Sequence, residues 1–274
     1  MAADPAEGLD ADGFITTGAR IANVRAPYDA VLADVRTTIR AALGTELHGL
    51  YLYGSVATGQ AVPPASDLDL AAVVIGPDAL ETCRLLGEEL SARHRSVVRE
   101  VGVSPVQLEK LLAEDDAGRA ERCFLKHYCV GVAGIDLRPD LPRCRPDRAI
   151  AREFVGELAP KLRHFTERLE AAATPAEVEA VAVLVARRLL MAAAVVYSIP
   201  DRTWTTARTD GAEMLGRHHP ALAGHAARAL AWIGPHNDEG PGHVTPTREE
   251  VGVVLGELGA LLTRDVQRYL GPEG

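Results

Sequence analysis

Two acids two residues apart, at the mouth of an apolar run, constrain this chain more than any other feature: Ser66-Asp67-Leu68-Asp69-Leu70, followed by AAVVI. A short apolar run bounded by Gly-Pro reads as a buried strand. In a strand, residues two apart point the same way, so Asp67 and Asp69 project from one face while Leu68 and Leu70 enter the core. Sinking a carboxylate into such a place costs roughly several kcal/mol unless a partner compensates. Two of them ask for a strong positive partner. Hard divalent cations are held in this way, and Mg²⁺ takes one or two carboxylates and completes its shell with water and phosphate oxygens.

Upstream, LHGLYLYG (residues 47–54) is a second apolar run, ending in Gly54-Ser55. Gly54 lets the backbone approach a bulky anion, and Ser55 offers a hydroxyl and amide groups at a helix start. One side of the turn thus supplies donors for a triphosphate and the other supplies metal ligands. Two Mg²⁺ ions held there can stabilise the attacking and the leaving oxygens of an in-line displacement. A third acid belongs on a neighbouring strand. SVVREVGV (96–103) is read as that strand, and Glu100 alternates with Val101 and Val103, so it faces the aspartates as metal ligand, general base toward an acceptor hydroxyl, or both. The plainer alternative is a solvated edge residue paired with Arg99. Asp136, in VGVAGIDLRPDL, is a rival third acid in what reads as a loop.

Around these strands the chain reads as a small mixed α/β domain. Residues 27–43 carry Val31, Leu32, Val35, Ile39 and Leu43 at helical spacing, with Pro27 at the first turn and Gly44 at the stop. A helix over 78–95 starts at Asp78 and lines Leu80, Cys83, Leu86 and Leu90 on one side. Pro105 is expected to open a further helix. The first 26 residues read as a flexible lead-in, the catalytic domain spans 27–148, and the segment RPDLPRCRPD (138–147) is the linker candidate. From 149 to 274 the apolar spacing is helical throughout, which predicts an all-α helical bundle.

Composition limits the function classes. The net charge is −9, with 16 basic against 22 acidic residues up to residue 150 and 13 against 16 beyond it. No basic stripe exists, which argues against a nucleic-acid partner, and an acidic cleft favours a cationic small molecule. No run of eighteen apolar residues occurs and the N-terminus MAADPAEGLDADGF lacks the features of a secretory signal. No membrane partner is expected, and a cytoplasmic location is. The four cysteines form no CxxC pair and no His is spaced with them for zinc, so reduced thiols are expected. His218, His219, His225, His236 and His243 read as surface or loop histidines. Arg187 and Arg188 interrupt an apolar helix and are candidates for a phosphate clamp, or for solvated or ion-paired arginines. Trp204 stacks on an adenine or sugar face, or packs into the bundle.

Gly54-Ser55, Gly59 and Ser66-Asp67-Leu68-Asp69-Leu70 together resemble the signature of the DNA polymerase β-like nucleotidyltransferase superfamily: Gly-Ser, about ten residues, then Asp-x-Asp on the second strand. The whole stretch from Leu47 to Gly76 is similar to the small-molecule branch, which includes the aminoglycoside adenylyltransferases of antibiotic resistance. That resemblance implies an α/β nucleotidyltransferase domain followed by a helical bundle. It implies that Gly54, Ser55 and Ser66 belong to the nucleotide site, that Asp67 and Asp69 ligate Mg²⁺, and that Glu100 completes the catalytic set. YCVGVAGIDLRPDLP resembles the Gly-x-Asp-Leu-x-Pro stretch preceding the helical domain in that branch. Two departures stand out. The link from Gly54-Ser55 to Asp67 is one residue longer and contains Pro63-Pro64, and the stretch after Arg187-Arg188 offers Arg202 and Arg208 where the branch has a Lys.

The expected reaction is transfer of a nucleoside monophosphate, AMP from ATP, to a hydroxyl of a small polar acceptor such as an aminoglycoside, with release of pyrophosphate. Two alternatives keep or drop the chemistry: transfer to a tRNA end or protein side chain, or a catalytically silent nucleotide-binding module. The acceptor, the base preference and the oligomeric state leave no mark in the sequence.

Overall fold

Strands β1 (Gly8–Leu9) and β2 (Ile15–Thr16) form a short antiparallel hairpin at the start of the chain. The computed structural model describes residues 4, 6–76, 78–233 and 245–271. Beyond the hairpin come α1 (Tyr28–Leu43), β3 (Leu47–Tyr53), α2 (Gly54–Thr58), β4 (Leu68–Val74), α3 (Asp78–His94), β5 (Val101–Gln107), α4 (Leu108–Leu112), α5 (Asp116–Tyr128) and β6 (Val130–Gly134). The sheet order is β5-β4-β3-β6, with β4 and β5 parallel and the other pairs antiparallel. It is the small mixed sheet expected.

Alternation decides the two faces. Leu50, Leu52, Leu68, Leu70, Ala72 and Val74 pack against Val31, Val35 and Ile39 of α1 and Cys83, Leu86 and Leu90 of α3. Tyr51, Ala71 and Val73 point the other way, onto Leu111, Leu125 and Cys129. In α3 the buried stripe runs through Ala79, Cys83, Leu86 and Leu90, while Leu80, expected on it, is 36% exposed. The side chain of Asp78 lies outside the described residues. Gly44, at φ 51°, ends α1, a conformation that costs glycine nothing.

Three expectations need correcting. The described residues from 6 to 26 are no loose lead-in: Ile15 is 1% exposed, and Arg20 N–H and the Asn23 amide both donate to Ala57 O at the end of α2. The strand expected over 96–103 begins at Val101 and runs on to Gln107, so Pro105 sits inside it rather than opening a helix. Proline is tolerated there because β5 is an edge strand with β4 as its one neighbour, so an N–H on its outer side is dispensable. Helix α4 starts three residues later.

The chain divides into two compact units, Asp4–Arg145 and the part from Pro146 onward, with the boundary inside the segment 138–147. The second unit holds α6 (Arg148–Val155), α7 (Leu158–Ala171), α8 (Pro175–Asp201), α9 (Arg208–His218), α10 (Ala223–Trp232) and α11 (Arg248–Leu270). Capping boxes start the two long helices, Thr174 with Glu177 on α8 and Thr247 with Glu250 on α11; each satisfies two otherwise orphaned N–H groups. Helix α8 is central and packs on α6, α7, α9, α10 and α11. It is long and apolar enough by composition to cross a membrane, which the sequence count of apolar runs did not register, but 72% of its most apolar window is buried inside the unit. A Cβ on Gly211 would run into the Leu190 carbonyl, 2.9 Å from its carbon. Only glycine lets α9 approach α8 so closely.

The histidines expected at the surface are partly built into this unit. Asp265, 4% exposed, accepts a hydrogen bond from the Tyr197 hydroxyl at 2.8 Å, and His219 Nε2 lies 2.8 Å from the same oxygen. His218 stacks on the Tyr197 ring at 4.5 Å and meets Asp201 at 2.9 Å. Burial first, and then the Asp265 charge, push the Tyr197 hydroxyl well above its ordinary pKa. His236 and His243 lie outside the described residues. The network predicts that Tyr197→Phe lowers stability by about 1–2 kcal/mol, because the buried carboxylate loses a donor. A urea-denaturation midpoint shifted down at constant m-value is the expected reading; an unshifted midpoint contradicts it.

Candidate active site

The acidic pair sits where the alternation of β4 puts it. Leu68 and Leu70 are fully buried while Asp69 is half-exposed between them, so the carboxylates lie on the face opposite α1 and α3. Tyr53, the last residue of β3, pairs with Asp69. The chain then turns through Gly54 at φ 73° into α2. A Cβ on Gly54 would collide with Asp69 Oδ2 and stand 3.2 Å from its Cγ. Positive φ and contact with the carboxylate both require glycine here. Gly102 of β5, the register partner of Asp69, completes the surround: a Cβ there would lie 3.6 Å from Asp69 Oδ1.

Asp67 has a partner that the sequence did not name. Arg99 grips it with both ends of the guanidinium, Nε to Oδ1 at 2.9 Å and Nη2 to Oδ2. The backbone ladder between β4 and β5 extends upstream to make this possible, with Arg99 N–H donating to Ser66 O at 3.1 Å and Leu68 N–H to Glu100 O at 2.9 Å. A fork-to-fork pair of this kind is the strongest geometry a carboxylate finds in protein. Arg99 was expected, if paired at all, beside Glu100; it serves Asp67 instead. Glu100 is exposed, one residue upstream of β5 rather than inside a strand, and level with Asp67 in the parallel register.

The remaining expected residues divide into two groups. Ser55 is 2% exposed at the start of α2. The Ser66 hydroxyl accepts a hydrogen bond from Val62 N–H at 2.9 Å, closing the link that leads into β4. The Tyr28 hydroxyl is buried beside Ser66 without closing a hydrogen bond to it. Burial pushes its pKa up and the Asp67 charge adds to that. Arg187 and Arg188 belong to α8 in the other unit. Arg188 donates to Val155 O at the C-terminus of α6, leaves its buried Nε without a hydrogen bond, and has its pKa lowered by burial. Trp204 is 1% exposed and meets the Phe154 ring edge-on at 5.3 Å, so packing, not stacking on a base, is its role. Asp136 is paired with Arg138 at 2.8 Å, which holds its carboxyl below the ordinary range.

Tyr53 and Ser104, which the sequence reading passed over, also face this site. The two hydroxyls are 3.4 Å apart. Burial, with Asp69 second, pushes the Tyr53 pKa up to about 12. Tyr53 therefore stays a neutral donor. Its place two residues after Tyr51 on an alternating strand was the available signal.

Among the described residues, the three His, Cys, Asp or Glu donor atoms that gather within 4.8 Å of one another are those of Cys123, His127 and Cys144. The carboxylates of Asp67, Asp69 and Glu100 are not drawn together to that degree. The donor type is that of Mg²⁺, oxygen ligands only, two in phase on one face with a glycine cradle against one, while the Arg99 guanidinium occupies both oxygens of the other.

This architecture, an α/β unit with a four-stranded mixed sheet followed by a helical unit, is shared with a solved structure. The crystal structure of spectinomycin adenyltransferase AAD(9) from Enterococcus faecialis, with ATP and spectinomycin, superposes with a TM-score of 0.58 at 13% identity, covering 86% of this chain and 99% of that one. No family model and no curated protein matches the sequence. The likeness establishes the fold.

Gly54→Ala tests the cradle. The added methyl must displace the Asp69 carboxylate or the turn, and the backbone is strained besides, so stability falls by about 1–3 kcal/mol. Thermal unfolding at matched conditions checks this, and a variant as stable as the parent contradicts the geometry.

Proposed function

We propose that the first unit is the catalytic part of a Mg²⁺-dependent nucleotidyltransferase that moves AMP from ATP to a hydroxyl of a small polar acceptor, an aminoglycoside or similar compound. The observation that carries this reading is the placement of Asp69 on β4 directly against the Gly54 turn, with Asp67 in phase with it just before the strand. The shared fold of a protein crystallised with ATP and spectinomycin supports it. The net charge of −9 suits a cationic acceptor.

In this reading Asp67 and Asp69 would hold Mg²⁺, two ions in all, with Glu100 as a further ligand. The bound metal would neutralise the triphosphate and stabilise the pyrophosphate leaving group. The Gly54 turn and the start of α2 at Ser55 would receive the β and γ phosphates through backbone N–H groups, and Ser66 orders the chain that leads into the acidic strand. Arg99 compensates the Asp67 charge and would have to release that carboxylate for it to ligate a cation. Glu100, exposed and level with Asp67, accepts the proton of the acceptor hydroxyl as its oxygen bonds to the α-phosphorus and the bond to pyrophosphate breaks. Tyr53, held neutral, donates rather than accepts. The chain contributes positioning and charge compensation, as in nucleotidyl transfer generally.

Asp67→Asn and Asp69→Asn are each expected to lower Mg²⁺-dependent pyrophosphate release by about a hundredfold or more, since each removes an anionic metal ligand. Circular dichroism should show the fold unchanged. A panel of hydroxylated antibiotics screened by mass shift identifies the acceptor, and retention of full turnover in either variant contradicts the proposal. Steep loss of activity with rising salt would transfer the assignment to a polyanionic acceptor.

A further inference from the structure

Three residues that the acidic site does not use converge elsewhere in the same unit. Cys123 and His127 lie four apart on α5, on one face of the helix, and Cys144 comes back to them from the segment after β6. Their donor atoms all lie within 4.8 Å of one another. Cys123 is fully buried and Cys144 is 9% exposed. The position of Cys144 is not accidental. Its carbonyl accepts from Ile15 N–H at 2.9 Å, its own N–H donates to His127 Nε2 at 2.9 Å, and the Thr17 hydroxyl donates to the His127 carbonyl.

We propose that Cys123, His127 and Cys144 form a binding site for a thiophilic d¹⁰ cation, zinc(II), distinct from the oxygen-lined acidic pair. In a tetrahedral zinc site with sulfur at about 2.3 Å and nitrogen at about 2.0 Å, the donors stand about 3.5–4 Å apart. The trio needs only a small inward movement to reach that spacing. Two thiolates neutralise a dication, so the complex carries no net charge into a buried place. Sulfur and imidazole select zinc over magnesium, which keeps the two sites chemically separate.

Zinc binding forms two Zn–S bonds and one Zn–N bond, and the thiol protons pass to solvent. At Nε2 the cation takes the place of the Cys144 amide hydrogen. Three protein donors leave one coordination position open. The site joins α5 and the chain entering the interunit segment, beside the N-terminal hairpin, so bound metal contributes stability. Nothing in this inference depends on the nucleotidyl-transfer reading.

The test uses the full chain, reduced and stripped of metal, with cobalt(II) as a spectroscopic probe and zinc(II) in competition with a chromophoric chelator. One equivalent of cobalt should give a thiolate-to-metal charge-transfer band that zinc abolishes, and zinc should raise the melting temperature. Cys144→Ser and His127→Gln should each weaken binding at least tenfold, while Cys83→Ser, a buried cysteine elsewhere, should bind as the parent does. No charge-transfer band in the reduced protein overturns the proposal, as does equal affinity in Cys144→Ser and parent. Recovery of a Cys123–Cys144 disulfide together with no metal uptake after reduction also overturns it.

Discussion

Negative charge at the mouth of a buried strand is the constraint on which the first unit depends. Leu68 and Leu70 must enter the core for β4 to hold the sheet together, and their burial forces Asp67 and Asp69 onto the opposite face. Two carboxylates so placed need compensation. The fold meets that need for Asp67 with the Arg99 guanidinium, delivered by the segment that leads into the parallel strand next door. Around Asp69 stand two glycines, Gly54 and Gly102, whose missing side chains leave room for the carboxylate.

Much of this was legible from periodicity. The phase of Asp67 and Asp69 follows from two-residue alternation, and the helix over 27–43 follows from its apolar spacing. What depends on register between strands was not. Arg99 and Glu100 could not be assigned to their partners because the start of β5 was placed several residues too early. Two features misled: Val97 and Val98 look like strand residues but lie in a turn and in the irregular chain just after it, and Pro105 looks like a helix start but occupies an edge strand. Nonlocal convergence was equally invisible. Cys123 and His127 have helical spacing, yet nothing linear ties them to Cys144, which reaches them through the backbone pairing with Ile15.

The helical unit shows a related limit. Its helices were plain from spacing, and α8 is apolar on nearly every side because five helices surround it. Its polar interior was not. The Tyr197–Asp265–His219 network joins the end of α8 to α11 across 68 residues of chain, and each of its members alone looks like a surface residue. Arg188 was visible as a charge in an apolar helix, but its hydrogen bond to Val155 O, at the end of α6, was not. Buried charges and polar groups are the features that sequence marks as odd without saying what answers them.

The account rests on the acidic pair of β4 taking a divalent cation together with a nucleotide. Anomalous diffraction from crystals soaked with Mn²⁺ and a non-hydrolysable ATP analogue tests it most directly. The account predicts manganese peaks within about 2.0–2.3 Å of carboxylate oxygens of both Asp67 and Asp69, with Arg99 displaced from Asp67 and phosphate oxygens completing the shell. Nucleotide bound elsewhere, or Arg99 still gripping Asp67 with no peak beside Asp69, would contradict it.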